Sequence, residues 1–160
     1  MESRELFNLL KNMAKEFSIY DLMNVRAFLE KDMQYLPKDY REIYLKNQIM
    51  HFVNVLNEIR KKEECNIENF EIKDINLEKL FNRIEKFKCG IKGEDSFIKL
   101  SKIVVPYLIF IAEKPLHPVG TRFPGGKSIV KKNNKYLCPV KNKQKNEYSL
   151  CEFCICEGME

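Results

Sequence analysis

Four cysteines near the carboxyl end of the chain are the residues whose type and spacing most clearly indicate chemistry. They follow the pattern C-x12-C-x2-C-x-C, and they are Cys138, Cys151, Cys154 and Cys156. Two thiolates in a C-x2-C turn can bind one tetrahedral metal, because the turn directs both sulfur atoms inward. Four soft thiolates suit Zn(II) or an iron–sulfur cluster. The spacing therefore predicts a metal site, with Zn(II) as the first choice. The alternative is an iron–sulfur cluster, which would indicate a redox or maturation role.

The fourth ligand of this site has two candidates. Cys156 is the nearer one, but it follows Cys154 by only two residues, which is a less regular zinc spacing than a second C-x2-C pair. His117 lies between two prolines and competes with it, since imidazole also binds zinc. We favour Cys156, and reduced cysteines that pack without a metal are the remaining alternative.

The other two cysteines and the other histidine are interpreted as structural. Cys65 and Cys89 are isolated in sequence, as is typical of ordinary buried or half-buried thiols. His51 lies beside the apolar face of a predicted helix, where a lone histidine is usually a packing residue.

The positive charge of the chain is concentrated around the first of the four cysteines. Between residues 114 and 145 there are nine Lys and Arg residues and no Asp or Glu. The whole chain has 28 basic and 23 acidic residues, so the remainder carries 19 basic against 23 acidic, a net charge of −4. Basic residues interleaved with aromatic ones are typical of surfaces that bind phosphate backbones and stack on bases. We predict contact with nucleic acid or an acidic protein partner, and the alternative is a solvated or self-docked basic hairpin. The residues assigned to this contact are Arg122, Lys127, Lys131, Lys132 and Lys135.

A glycine-rich segment, GTRFPGGKS at 120–128, partly matches the phosphate-binding pattern G-x-x-x-x-G-K-[ST]. Thr121 occupies the place of the first glycine, and the flanking helix and strand come in the reverse order. We predict an ordinary turn, with a looser anion site at Arg122 and Lys127 as the alternative. An enzyme acting on a phosphorylated ligand at 125–127 is a further hypothesis. No catalytic triad and no G-x-S-x-G elbow is present, so the sequence predicts no reaction.

Helices must position these residues. Apolar residues at helical spacing predict helices at 3–17, 18–36, 38–63, 77–88 and 95–113, with Asp95 or Ser96 as the cap of the last one. The segment IVVPYLIFIA at 103–112 is apolar on all sides and should form the central helix, kinked at Pro106. Strands at 128–130 and 136–138 should form a hairpin around an Asn-Asn turn, and 151–154 should form a tight turn or the first turn of a short helix. The predicted fold is mainly α: a bundle of four to five helices at 1–114, with a basic, cysteine-rich, metal-binding element at 115–160 packed on it.

Five segments carry a resemblance to a known family. They are SIYDLM (18–23), AFLEKDMQYLPKDYREIY (27–44), HPVGTRFPGGKS (117–128), YLCPVK (136–141) and LCEFC (150–154). Together they resemble an uncharacterised archaeal family known mainly from methanogens, over nearly the whole chain. The resemblance implies a cytoplasmic archaeal protein and no particular activity. The absence of a signal-peptide pattern, and a longest apolar run of ten residues, likewise predict a cytoplasmic protein without a membrane partner. The sequence does not indicate an oligomeric state.

Overall fold

The computed structural model describes residues 1–86, 90, 93–123, 125–141 and 149–159. Cys89, the predicted end of the fourth helix at 87–88, and Lys143 and Lys145 of the basic stretch lie outside the described residues.

The described part of the chain contains five α-helices, in agreement with the predicted bundle of four to five. They are α1 (Ser3–Glu16), α2 (Ile19–Asp32), α3 (Lys38–Lys61), α4 (Asp74–Glu85) and α5 (Glu94–Pro106). A short 3-10 helix, Glu64–Asn66, follows α3, and a π-helix, Tyr107–Ala112, follows α5. None of the described helices is long and apolar enough to cross a membrane.

Helix α5 is the centre of the bundle, as its apolar sequence predicts. It packs against each of α1 to α4, and its residues Ile103 and Val104 are fully buried. Pro106 has no N–H group to donate to the preceding turn, and the helix changes from α to π at the next residue. The change in helix type thus falls at the predicted proline, whereas a kink of the helix axis stays a prediction.

Several helix ends differ from the sequence prediction; α4, for example, begins three residues early, at Asp74. Helix α2 starts with the predicted capping box, in which Ser18 Oγ accepts from the Asp21 N–H at 3.2 Å, but it ends at Asp32, four residues before the predicted end. The prediction that Asp95 or Ser96 caps α5 is wrong, because the helix begins at Glu94 and its cap is Gly93. Gly93 has a φ of +90°, which allows the chain to turn tightly into the helix.

Replacing Gly93 by alanine is expected to destabilise the bundle strongly. A Cβ atom at this residue would lie 2.7 Å from the backbone oxygen of Asn24 in α2, in addition to the strain of the positive φ. Gly90 is a matched control, since it has a φ of +85° and an added Cβ would have nothing within 4 Å. Gly90→Ala should cost about 1–2 kcal/mol in unfolding free energy, and Gly93→Ala about 3 kcal/mol or more. Urea unfolding followed by circular dichroism measures both; equal losses would contradict the close contact.

The capping box also predicts a pH dependence. Hydrogen bonding from the Ser18 backbone holds the pKa of Asp21 below its ordinary value of 3.8. Because the folded pKa is the lower one, the ionised carboxylate stabilises the fold above pH 3.8, and this contribution is lost as the pH falls through the folded pKa. Asp21→Asn should therefore cost about 1 kcal/mol at neutral pH. The difference in unfolding free energy between Asp21→Asn and the natural protein should become smaller in acid. The same difference at pH 7 and at pH 3 would contradict this role of Asp21.

A small sheet follows the helices. The predicted hairpin is present as β1 (Val130–Lys132) and β2 (Lys135–Cys138), which pair antiparallel. Asn133 and Asn134 both have positive φ, as a two-residue hairpin turn requires. A third strand, β3 (Glu157–Gly158), was not predicted from the sequence; it pairs parallel to β2. This pairing brings the end of the cysteine pattern back to the hairpin.

Candidate metal centre and basic ribbon

The structure brings the four predicted cysteine ligands to the wall of one cavity, which His117 also lines. Cys138 ends β2 and Cys156 directly precedes β3; both are buried, with 6% and 4% of their surface exposed. They form a small cluster with Ile129. Cys154 packs against this cluster and also against the main core of the bundle. The parallel pairing of β2 and β3 is therefore what carries Cys156 to the vicinity of Cys138.

Two tight turns and one lysine hold the cysteine segments in place. The N–H of Cys154 donates to the carbonyl of Cys151 at 3.2 Å, which confirms the turn predicted at 151–154. The N–H of Lys141 donates to the carbonyl of Cys138 at 3.4 Å and closes a second turn. The Lys141 ammonium donates to the carbonyls of Cys151 and of Cys154, the latter at 2.8 Å. One side chain thus connects the end of the hairpin to the C-x2-C turn.

The surroundings of the thiols change their acidity. A hydrogen bond from the Cys156 thiol lowers the pKa of Cys154, and backbone hydrogen bonds from Cys156 and Leu116 act in the same direction. The same bond raises the pKa of the donor, Cys156. Burial raises the pKa of Cys138, although backbone hydrogen bonds from residues 140 and 141 oppose this effect. Cys154 therefore forms a thiolate more readily than an ordinary cysteine does.

The thiols face one cavity but are not arranged around a common point. Among the residues that the structure describes, no three His, Cys, Asp or Glu side chains form a group that could hold a metal ion. The turns and strands bring the four cysteines to one cavity. Their side chains would have to move closer together to bind one metal ion.

His117 makes contacts that differ from those of the cysteines. Its Nε2 lies 2.7 Å from the hydroxyl of Tyr44 on α3, and its ring lies between the rings of Tyr44 and Phe123. Burial lowers the pKa of His117 to about 4, and the nearby His51 adds to this effect, so the imidazole is neutral at pH 7. His51 itself contacts the ring of Phe52 and lies 3.4 Å from the carbonyl of Pro115, in keeping with its interpretation as a packing residue.

An arginine of α4 fixes the C-x2-C turn to the bundle. Arg83 donates to the carbonyl of Ser149 at 2.8 Å, forms an ion pair with Glu152, and lies over the ring of Phe153 with 5.4 Å to the ring centroid. Phe153 also packs against the main core. The cysteine-rich element therefore contacts the bundle at both α3 and α4, whereas the division into two domains at residue 115 stays a prediction.

The predicted basic residues are exposed on the hairpin and on the loop before it, and we call this set the basic ribbon. Its members, all exposed, are Arg122, Lys127, Lys131, Lys132 and Lys135. The Lys131 ammonium lies over the ring of Tyr136, with 5.4 Å to the ring centroid, and Lys135 is 3.6 Å from a carboxylate oxygen of Glu157. The strand that contains Glu157 was not predicted, so this partial neutralisation was not predicted either.

A small cleft lies beside the basic ribbon. It has a volume of about 180 Å³, and its lining includes Tyr40 and Tyr44 of α3 together with Gly120, Thr121 and Arg122. The two tyrosine rings stack with their centroids 5.7 Å apart.

The glycine-rich loop closes on itself. The N–H of Phe123 donates to the carbonyl of Lys127 at 3.0 Å, and the N–H of Gly126 donates to the carbonyl of Phe123 at 3.1 Å. The Gly126 amide is therefore used inside the turn and not presented to an anion. This geometry favours the ordinary turn over the phosphate-binding alternative.

Sequence reasoning missed three residues at this site: Tyr44, Gln48 and Arg83. All three lie on helices, at 2.7, 3.4 and 2.8 Å from atoms of the C-terminal element. Tyr44 was counted only as part of the apolar face of α3. No local pattern marks the other two, because their role comes from residues that lie 66 and 68 positions further along the chain.

Relatives of this chain are found among the methanogens. A UPF0305 protein of Methanocaldococcus jannaschii is 51% identical over 161 residues, covering 100% of this chain and 98% of that protein. A UPF0305 protein of Methanococcus maripaludis strain C5 is 50% identical, covering 99% and 98%. One from Methanothermobacter thermautotrophicus is 31% identical, covering 97% and 95%. No solved structure shows a significant match. The family described as "Uncharacterized protein conserved in archaea (DUF2115)" matches residues 2–159, and the chain belongs to this family, as the resemblance indicated.

Proposed function

We propose that this protein binds one Zn(II) ion through Cys138, Cys151, Cys154 and Cys156, and that the element so stabilised presents its basic ribbon to nucleic acid. The proposal is supported by four cysteines, two from one turn and two from strand ends, that line one cavity at the end of the hairpin. The same hairpin carries Lys131, Lys132 and Lys135.

The donor set fits zinc. Thiolates are soft ligands that bind Zn(II) in tetrahedral sites. Cys154 is already favoured as a thiolate by the hydrogen bonds that it accepts. Binding displaces the thiol protons and draws the four side chains together, so that the binding free energy also stabilises the fold of the element.

Cys156 is the better fourth ligand. It is buried in one small cluster with Cys138, against which Cys154 packs, whereas His117 has its Nε2 engaged by the hydroxyl of Tyr44. Ligation by that nitrogen would require the loss of the 2.7 Å contact.

Zinc content tests the ligand set. Cys138→Ser, Cys151→Ser and Cys154→Ser should each lower the zinc-to-protein ratio from about one to well below one half, because a structural site needs four ligands. Cys65→Ser is the matched control, since Cys65 is exposed and no part of the cavity wall. Cys156→Ser should behave like the other three, and His117→Gln like the control. Full occupancy in Cys138→Ser would refute the proposed site.

Arg83 should support metal binding without being a ligand. Its bonds to Ser149 and Glu152 hold the C-x2-C turn against α4. Groups that orient metal ligands typically change metal affinity by about 10- to 100-fold. Arg83→Ala should therefore weaken zinc binding by about tenfold or more, as measured by competition with a chromophoric chelator. Arg26→Ala removes an exposed ion pair with Glu30 and should leave the affinity unchanged; equal affinities for the two variants would contradict this role of Arg83.

Nucleic acid is preferred to an acidic protein partner because of the cleft beside the basic ribbon. Tyr40 is only half-buried there and lies in the same cleft wall as Arg122. An aromatic ring next to a basic side chain is the arrangement on which unpaired bases stack while their phosphates are bound. We therefore propose a single-stranded nucleic acid as the partner.

A further inference from the structure

The cavity that the cysteines line is much larger than a metal site. Its volume is about 620 Å³, and it lies between α2, α3, α5 and the C-terminal element. This volume falls within the range of roughly 300–1,000 Å³ that is typical of sites for small organic molecules. A single ion bound at the cysteine wall would leave most of it free.

The helical side of the cavity is apolar and aromatic. Phe28 and Phe97 stack there with ring centroids 5.2 Å apart, and Phe52, Leu45 and Val105 form the adjoining wall. Three ionic side chains in the described part of the chain also line the cavity. Asp32 and Lys86 are exposed, and the ammonium of Lys141 is bonded to two backbone carbonyls. These walls suit the body of a neutral, apolar molecule.

One polar group in the wall has an unused bonding capacity. Gln48 donates its Nε2 to the carbonyl of Leu116 at 3.4 Å, while its Oε1 is buried and has no hydrogen-bond partner among the described residues. Because a carbonyl can only accept, the bond to Leu116 fixes which end of the amide is the free acceptor. A buried acceptor without a partner is costly, so a group that donates to it would be bound favourably.

We propose that this cavity binds a neutral, mainly apolar organic molecule that donates one N–H or O–H hydrogen bond to Gln48 Oε1. The inference goes beyond the proposed zinc and nucleic-acid functions, and it uses different side chains. The thiols also line this cavity, so the ligand would contact both the bundle and the cysteine-rich element.

A matched pair of fluorescent probes tests whether binding depends on a hydrogen-bond donor in the ligand. In 2-phenylindole a ring N–H occupies the position that an oxygen atom takes in 2-phenylbenzofuran, and the two molecules have nearly the same shape. Titration of each probe with the full-length protein as purified should give saturable binding of 2-phenylindole. Binding of 2-phenylbenzofuran should be about tenfold weaker or more, because it leaves the buried acceptor unpaired.

Two variants locate the site. Gln48→Met keeps the size of the side chain but removes the acceptor, so the two probes should bind with nearly equal affinity. Leu29→Phe places a larger side chain of α2 in the cavity wall and should weaken the binding of both probes. Circular dichroism checks that the helical content of this variant is unchanged.

Equal affinities of the natural protein for the two probes, or no saturable binding of either, would overturn the proposal. A preference for 2-phenylindole that survives in Gln48→Met would also overturn it. Zinc content is measured on the natural protein and on each variant. Loss of the probe preference in protein that still carries its zinc would then be a failure of this inference alone, and not of the metal site.

Discussion

Removal of the metal should make the cysteine-rich element sensitive to protease while the helical bundle stays folded. The element has three strands of two to four residues, and its own small core consists of Ile129, Cys138 and Cys156. So little buried apolar surface cannot order a segment of this length, and metal coordination typically supplies about 10–16 kcal/mol to such folds. Trypsin should therefore cut after Lys131 and Lys132 at least about tenfold faster once a chelator has removed the metal.

The bundle provides the internal control for this experiment. Helices α1 to α5 have their own core, which includes the fully buried Leu80 and Ile103, so the helical circular dichroism should change little on chelation. Returning Zn(II) should restore protection of the hairpin. Unchanged resistance to trypsin after complete metal removal would show that packing against α3 and α4 alone orders the element.

Neutralising the basic ribbon should weaken nucleic-acid binding and reduce its salt dependence. Lys131, Lys132 and Lys135 are exposed and lie on two adjacent strands. Each lysine that contacts a phosphate releases a counterion, so replacing all three by glutamine should flatten the slope of log affinity against log salt by about 2–3 units. Lys135 is also close to Glu157. If that ion pair persists in the complex, the slope should decrease by only about 2 units.

A second triple variant tests whether binding depends on the position of the lysines or only on the net charge of the protein. Lys15, Lys61 and Lys79 are exposed on α1, α3 and α4, and changing them to glutamine alters the net charge by the same amount. Fluorescence anisotropy with a single-stranded oligonucleotide should show near-natural binding for this control. No binding by the natural protein at about 50 mM salt, or a ribbon variant that binds as the natural protein does, would exclude nucleic acid and favour an acidic protein partner.

The sequence predicted those parts of the fold that depend on local patterns. Apolar spacing predicted the helices, and the Asn133–Asn134 turn predicted the hairpin, because each signal lies within a few neighbouring residues. Strand β3 has only two residues, and its pairing with β2 is a contact across about 20 positions, so no alternation of side chains marks it. The start of α5 was misplaced because Asp95 is a good cap in general, whereas the positive φ of Gly93 fits the close approach of α2.

The candidate site also has features that the sequence predicted and features that it could not predict. The spacing of the cysteines predicted that they would come together, and the structure brings them to one cavity wall. The bond from Tyr44 to His117 and the free acceptor of Gln48 could not be predicted, because both depend on how α3 packs against residues 116 and 117. Such contacts are set by the tertiary arrangement and leave no periodic signal in the chain.

Elemental analysis of protein purified without oxygen would show whether the four cysteines bind zinc. The proposed site predicts close to one zinc per chain, a colourless sample, and loss of this zinc in Cys138→Ser but not in Cys65→Ser. Iron with inorganic sulfide, and a visible absorption that bleaches on reduction, would instead assign the same cysteines to an iron–sulfur cluster. A protein that contains neither metal, and that binds no Zn(II) when it is supplied, would contradict the proposal.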